Sequence, residues 1–312
     1  MAASGPSLIL GTMPFGDTVG ESAARAIVEE ALELGVAELD TANTYAGGAS
    51  EEILGRVAPV GIPISSKVGM QPAAEGRGPL APEAILAQAR LSTDRLGRGL
   101  DTLYLHQPDR STPIADTLAG VLEVLDQGLA SRLGLSNYSA WETVEITHAC
   151  ERLGLSPPLR AQQLYNPLAR RLELEFLPFA RARGVETVAY NPLAGGLLTG
   201  RHRFESLPTD GRYGDSRLAV MYRDRYWTRE RFAVIDQLRE VADGAGMPLV
   251  EMCLRWTCGH EGVTAMLVGG SRPEQIRENI AAAGRGPLPD AVHRRIDDLT
   301  SPLIGDAPHY AR

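Results

Sequence analysis

Three residues that close short apolar runs, with a fourth nearby, could together polarise a carbonyl and deliver a proton. Asp40 follows VAEL, Lys67 follows PISS, His106 follows DTLYL, and Tyr45 stands five residues beyond Asp40 in DTANTY. The lysine is singular: of 31 basic residues it is the one lysine, leaving 30 arginines (31 − 1). Arginine is a broad planar fork that stays protonated, whereas lysine is a compact charge whose position and acidity can be tuned. A chain that uses arginine everywhere else has kept its one compact cation at this position. The set suits carbonyl reduction, because a hydride arriving at a carbonyl carbon leaves an alkoxide that needs a proton, and a tyrosine can supply it as general acid. An ammonium about 4 Å from the phenol, at an effective dielectric of roughly 20, would favour its ionised form by about 4 kcal/mol, or about 3 pKa units below the reference of about 10. Asp40 would hold that ammonium in place, and a neutral His106 could donate a hydrogen bond that orients the carbonyl oxygen.

Such residues need a frame that gathers strand ends. Short apolar runs alternate with amphipathic stretches along the chain, the pattern of βα units around a parallel sheet. Strands are expected at Leu8–Gly11, Val36–Asp40, Pro63–Lys67, Asp101–His106, Arg132–Ser136, Arg160–Leu164, Glu186–Tyr190 and Thr264–Val268, with helices at Glu21–Leu34, Pro82–Leu96, Thr112–Gln127, Trp141–Leu153 and Glu173–Arg183. Eight strands with their crossovers predict a (β/α)8 TIM barrel spanning residues 1–312 as one domain, with its site at the C-terminal strand ends. An open doubly wound sheet is the other arrangement of such units, but no GxGxxG follows the first strand. Two stretches break the rhythm. Gly195 to Thr228, rich in glycine, arginine and tyrosine, reads as a lid-like loop before a helix around Arg231 to Ala242, and Gly284 to Arg312 reads as a C-terminal tail.

The chain has 312 residues, 44% hydrophobic, with a formal net charge of −8. Its arginines are scattered, so neither a nucleic-acid backbone nor an anionic membrane surface is an expected partner. Cys150, Cys253 and Cys258 form no close CxxC pair and fit a reducing cytoplasm. The opening MAASGPSLILGTM lacks a basic start and a long apolar core, and no apolar window approaches the ~18 residues of a membrane span, so neither a signal peptide nor a span is expected.

Blocks in order along the chain, LGTM, LDTANTY, SSKVG, YLHQPD, GLSNY, AQQLYN, AYNPLAGGLLTG and VGGSRPEQIRENI, make it resemble the aldo-keto reductases from about Leu8 onward. NPLAGGLLTG, MYRDRYW and the ending APHYAR resemble most closely the subgroup named for aflatoxin dialdehyde and succinic semialdehyde reduction. The resemblance implies that Asp40, Tyr45, Lys67 and His106 are a catalytic tetrad, that the cofactor is NADPH, and that no metal is used. It implies that Ser136, Asn137 and Gln162 hold the nicotinamide carboxamide and that Tyr190 stacks beneath its ring. Asn191, Leu193, Gly195 and Arg201 would belong to the loop over the pyrophosphate, and Thr12, Met13, Asp40 and Arg212 also fall in the cofactor site. The glycines of PLAGGLLTG permit close backbone approach. Gly269, Gly270, Ser271 and Arg272 precede a helix whose amides can bind an anion, and Arg272 suits a 2′-phosphate; Gln275 and Asn279 match family positions. Many members carry lysine where Gly269 stands. Only seven residues precede the first predicted strand, which leaves little room for the hairpin that closes the barrel bottom in many relatives.

In the same subgroup the positions of Tyr222, Arg225 and Arg312 line the substrate pocket with Tyr45 and His106, and two guanidiniums there would suit an aldehyde with a distant carboxylate. Expected partners are therefore a small carbonyl substrate and, as is frequent among close relatives, a second copy in a homodimer. Two alternatives stand beside aldehyde reduction: a dedicated biosynthetic ketone or imine reductase, and a regulatory subunit resembling those of potassium channels.

Overall fold

The computed structural model describes residues 5–71 and 78–305. Eight strands close a barrel in chain order, β1 to β8: β1 (Ser7–Gly11), β2 (Leu39–Asp40), β3 (Ile64–Val68), β4 (Leu100–Leu105), β5 (Ala130–Ser136), β6 (Arg160–Leu164), β7 (Glu186–Tyr190) and β8 (Ala265–Val268). Every neighbouring pair is parallel, and β8 returns to β1. The helices are α1 (Glu21–Glu33), α2 (Ala49–Val57), α3 (Pro82–Leu96), α4 (Ile114–Asp126), α5 (Ala140–Leu153), α6 (Phe176–Arg183), α7 (Ala219–Tyr226), α8 (Arg229–Gly244), α9 (Leu249–Gly259), α10 (Pro273–Ala283) and α11 (Asp290–Thr300). The (β/α)8 expectation holds. The barrel strands lie within two residues of their predicted spans, except that β2 makes its ladder only at Leu39–Asp40.

Strand alternation explains the wall. All five residues of β3 are buried, yet they serve two surfaces, since successive side chains point to opposite faces. Ile64 and Val68 join the apolar layer beneath α1 to α5, while Ser65 and Lys67 bond to Glu38 and Asp40 across the lumen. The lumen is itself divided. Ile9, Val188, Ala265 and Leu267 pack with Tyr190 on the β1, β7 and β8 side, and polar residues of β2, β3 and β6 face them. Helix ends follow local chemistry: Ser139 and Glu142 form a reciprocal capping box on α5, and Gly97, Gly154 and Gly184 end α3, α5 and α6 in the left-handed region.

Two sequence expectations are corrected. The stretch read as a tail from Gly284 contains α11, whose Ile296 and Thr300 are buried, so the chain returns as a packed helix. The stretch from Gly195 to Thr228 is not an open loop, since it holds α7 and buries Tyr213, Tyr222 and Tyr226 at 1%, 3% and 0% exposure. Among the described residues, no helix is long and apolar enough to cross a membrane.

Candidate active site

Lys67 is 1% exposed at the end of β3. Its ammonium donates to Asp40 Oδ1 at 2.5 Å and to the Thr41 carbonyl at 2.6 Å. The second carboxylate oxygen accepts from Gln162 Nε2 at 2.8 Å. Thr12 spends its hydroxyl on the Asp40 carbonyl at 2.9 Å. Burial lifts the Asp40 carboxyl above its ordinary range, against the pull of Lys67 and Gln162, and Glu38 adds to the lift.

Tyr45 sits on the turn after β2, 5.0 Å from its ring centroid to Lys67 Nζ. The turn is tied from below. Asn43 donates to Gln88 at 2.9 Å, and Arg95 donates to the Asn43 carbonyl at 3.2 Å and pairs with the buried Glu51 at 3.1 Å. Ser66 donates to the same carboxylate at 2.6 Å. Gly48 adopts φ 103°, and a Cβ there would lie 2.2 Å from the Arg95 guanidinium carbon, so only glycine fits. Burial first, then Asp40 and Tyr222, push the phenol well above its ordinary value, with Arg212 opposing. The expected acidification by Lys67 is therefore not what the site provides. At 2.5 Å the Asp40 carboxylate offsets much of the ammonium's pull on the phenol, and burial prevails. Tyr45 is held as a protonated donor.

His106 meets Tyr45 edge to face with ring centroids 6.0 Å apart. Burial, then the Lys67 charge, hold its imidazole neutral by pushing the pKa well below 6.5. Its Nδ1 is buried and has no hydrogen-bond partner among the described residues.

The nicotinamide candidates form a connected group beside these four. Asn137 donates to the His106 carbonyl at 2.9 Å and to Ser136 Oγ at 3.0 Å, and accepts from the Tyr190 hydroxyl at 2.7 Å. Ala46, Asn137, Asn191 and Ala194 take positive φ of 51°, 65°, 61° and 49°. These four non-glycine residues all follow barrel strands at the mouth, where strained backbone often marks function.

Asn191 accepts from the Gly195 amide at 2.6 Å and donates to the Tyr226 hydroxyl at 3.0 Å. Leu193 leads into the turn that contains Gly195, and a Cβ on Gly195 would lie 2.6 Å from the Tyr222 ring. Arg201 lies beside Gly196. Arg212 donates to the Tyr222 hydroxyl at 3.0 Å and approaches the Met13 sulfur at 3.8 Å. Arg225 is 4% exposed, with its guanidinium 5.6 Å from the Tyr222 ring and 6.0 Å from that of Tyr226. It is thus packed within an aromatic cluster. At the β8–α10 corner, Gln275 accepts from the Ser271 amide at 2.8 Å, Asn279 donates to the Gly269 carbonyl at 3.0 Å, and an exposed Arg272 stands at the N-cap position of α10 with no side-chain capping bond. Arg312 lies outside the described residues. A separate cleft of about 480 Å³ lined by Glu173, Arg181, His260 and His293 includes none of these residues.

Sequence reasoning missed the layer under the site. Glu38, Arg160 and Glu186 meet in the lumen, and the one available signal was their position two residues before Asp40, Gln162 and Val188 on inward-facing strands.

The chain matches the Aldo/keto reductase family over residues 7–301. It is 36% identical over 334 residues to "Aflatoxin B1 aldehyde reductase member 2" of Mus musculus, covering 100% of this chain and 90% of the relative. Human "Aldo-keto reductase family 7 member A3" is 34% identical over 325 residues, covering 98% and 97%. An Arabidopsis thaliana protein named "Probable voltage-gated potassium channel subunit beta" is 32% identical over 285 residues, covering 88% and 86%. With the barrel, the strand-end acid, phenol, amine and imidazole, and a match over nearly its whole length, the chain is an oxidoreductase and belongs to the aldo/keto reductase family.

Proposed function

We propose that this chain is an NADPH-dependent reductase that converts aldehydes to alcohols, with Tyr45 as the general acid. The observation that carries the reading is the neutral, buried Tyr45 phenol between the Lys67–Asp40 pair and a neutral His106 whose Nδ1 is unpartnered among the described residues. The residues present fit a nicotinamide. Ser136 retains a hydroxyl hydrogen after accepting from Asn137, Gln162 retains its carbonyl oxygen after donating to Asp40, and the Tyr190 ring stands at the mouth, tethered through Asn137. Ser136, Asn137 and Gln162 would hold the carboxamide, Tyr190 would stack beneath the ring, and the glycine turn at Gly195 and Gly196 would approach the phosphates. When bound, the reduced nicotinamide supplies the hydride for the carbonyl carbon.

The chain's own groups do the rest. His106 donates to the carbonyl oxygen and draws electron density toward it. Tyr45 passes its proton to that oxygen as negative charge develops, and the ammonium of Lys67 stabilises the phenolate left behind. Asp40 keeps the ammonium in place. Tyr222, with Arg212 on its hydroxyl, acts electrostatically on Tyr45 and so borders the reacting centre. The neighbouring guanidiniums of Arg212 and Arg225 favour substrates that carry a carboxylate away from the aldehyde. An exposed Arg272 at the start of α10 suits a 2′-phosphate, which supports NADPH over NADH.

The testing experiment follows consumption of NADPH with neutral aldehydes, carboxylate aldehydes, diketones and cyclic imines. Turnover of 4-nitrobenzaldehyde and succinic semialdehyde is expected. Turnover confined to an imine or a diketone would overturn the aldehyde reading, and no turnover of any of them would favour a binding role.

A further inference from the structure

The residues that bond to Asp40 stand above a second polar layer with the same strand spacing. Glu38, Ser65 and Arg160 precede Asp40, Lys67 and Gln162 by two residues on or beside β2, β3 and β6. Residues two apart share a face, so this layer lies about 7 Å below the site. Arg160 is 6% exposed. Its Nη1 and Nη2 each lie 2.8 Å from a Glu38 oxygen, and its Nε lies 2.9 Å from Glu186 Oε2. Ser65 donates to Glu38 at 2.8 Å. Tyr104, 1% exposed, is coupled electrostatically to both layers, to Asp40 above and to Arg160, Glu38 and Glu186 below. Its ring centroid is 6.0 Å from Lys67 Nζ. Gly134 makes room for it, since a Cβ there would come within 2.6 Å of the ring.

Barrel interiors are ordinarily filled by branched apolar side chains. A buried ion group is often matched or bettered in stability by apolar residues of the same volume, so stability alone does not account for this one. Arg160 reaches the layer from the strand that also supplies Gln162 to Asp40, and Glu38 reaches it from the strand of Asp40 itself. We propose that Arg160 and Glu38 are positioning residues for Asp40: they lock β2 to β6 beneath it and set how acidic the medium can become before the Asp40–Lys67 link is lost. This rests on the reading of Lys67, Asp40 and Tyr45 as the reduction site.

The groups facing Asp40 are Lys67 from β3, Gln162 and Arg160 from β6, Tyr104 and His106 from β4, Glu38 from its own segment, Glu186 from β7 and Tyr45 from the following turn. Tyr45 and Tyr104 stay protonated and His106 stays neutral, which leaves the carboxyls to titrate on the acid side, and the Asp40→Asn comparison separates Asp40 from Glu38 and Glu186. Glu38 opposes the Asp40 carboxylate, and Arg160, bonded to Glu38, screens that opposition. A single unscreened charge at about 7 Å in an effective dielectric of about 20 corresponds to about 1.7 pH units, and the neighbouring ion pairs screen it to about one.

The test measures kcat for 4-nitrobenzaldehyde at saturating NADPH against pH, in wild type, Arg160→Met, Arg160→Lys and Glu38→Gln, with circular dichroism at each pH to confirm folding. The expected result is an acid limb about one pH unit higher in Arg160→Met, about one unit lower in Glu38→Gln, and close to wild type in Arg160→Lys. Infrared difference spectra, with the protonated Asp40 band assigned by Asp40→Asn, should show the same order without turnover. If Arg160→Met does not fold, Glu38→Gln carries the test alone. Limbs that stay in place, or that move upward together with acid unfolding, would make the layer merely structural. A wild-type chain that reduces no carbonyl, with the infrared order intact, would sink the reductase reading and leave the layer's effect on Asp40 standing.

Discussion

Lys67→Arg keeps the charge and changes its shape, so it separates electrostatics from geometry at the centre of the site. The ammonium lies 5.0 Å from the Tyr45 ring centroid. At an effective dielectric of about 20, and before the offset from Asp40, this is worth at most about 3.3 kcal/mol to a phenolate. A guanidinium reaches roughly one bond, about 1.3 Å, farther; if the charge moved away from the ring by that much, the attraction would fall to about 2.6 kcal/mol. The difference of about 0.7 kcal/mol slows proton transfer only about threefold. Shape costs more. The Nζ position is fixed by contacts of 2.5 Å to Asp40 and 2.6 Å to the Thr41 carbonyl, and forcing extra atoms into a packed site costs about 1–3 kcal/mol. Released by displacing Asp40 or Tyr45, that strain brings the loss in kcat to about a hundredfold. Steady-state reduction of 4-nitrobenzaldehyde gives the number, and NADPH titration by fluorescence checks that the cofactor site survives. A kcat within about threefold of wild type would mean that charge alone suffices, and would refute the geometric argument.

Four further outcomes are expected. Arg272→Ala should weaken NADPH by about 1.5–3 kcal/mol and leave NADH nearly unchanged in binding titrations, whereas equal weakening would place the 2′-phosphate elsewhere, with Arg212 the next candidate. Arg225→Met, which keeps much of the packing on Tyr222 and Tyr226, should raise KM for succinic semialdehyde and spare that of a neutral aldehyde; equal effects would show that Arg225 does not read a carboxylate. His106 is held neutral below 6.5 when folded, so as the pH falls through about 6.5 the unfolded imidazole binds a proton that the folded one refuses. Stability then falls with falling pH, by up to about 1.4 kcal/mol per unit from this group. Urea unfolding should show a shallower acid slope in His106→Gln, and an unchanged slope would contradict the burial argument. Gly134→Ala should cost about 1–3 kcal/mol in the same assay, because its Cβ would meet the Tyr104 ring at 2.6 Å; a neutral result would mean that the ring can move.

Much of the barrel was legible because strand-end polar residues interrupt apolar runs, and the same interruption marked Asp40, Lys67 and His106. Tyr45 was findable from its proximity to Asp40, but its protonation was not. That depends on the ammonium's pull being offset across β2 and β3, a contact between residues 27 apart. The lower layer was hidden for the same reason, since Arg160 meets Glu38 across 122 residues. A lone arginine in LRAQQL reads as a surface charge until the barrel closes. Helix α11 escaped because its buried side is narrow, Ile296 and Thr300 in a run of charged residues, which resembles a solvated tail. Helices α2 and α9 went unmarked between stronger signals. The resemblance placed Arg225 in the substrate pocket, while its burial against two tyrosines follows from how α7 docks.

The most direct measurement of the central claim is Tyr45→Phe, which removes one hydroxyl and keeps the ring against Lys67 and His106. With NADPH saturating and 4-nitrobenzaldehyde as substrate, kcat should fall by about a hundredfold or more while the dissociation constant for NADPH changes little. A kcat within about threefold of wild type would show that the proton comes from another group, and would contradict the assignment of Tyr45 as the acid.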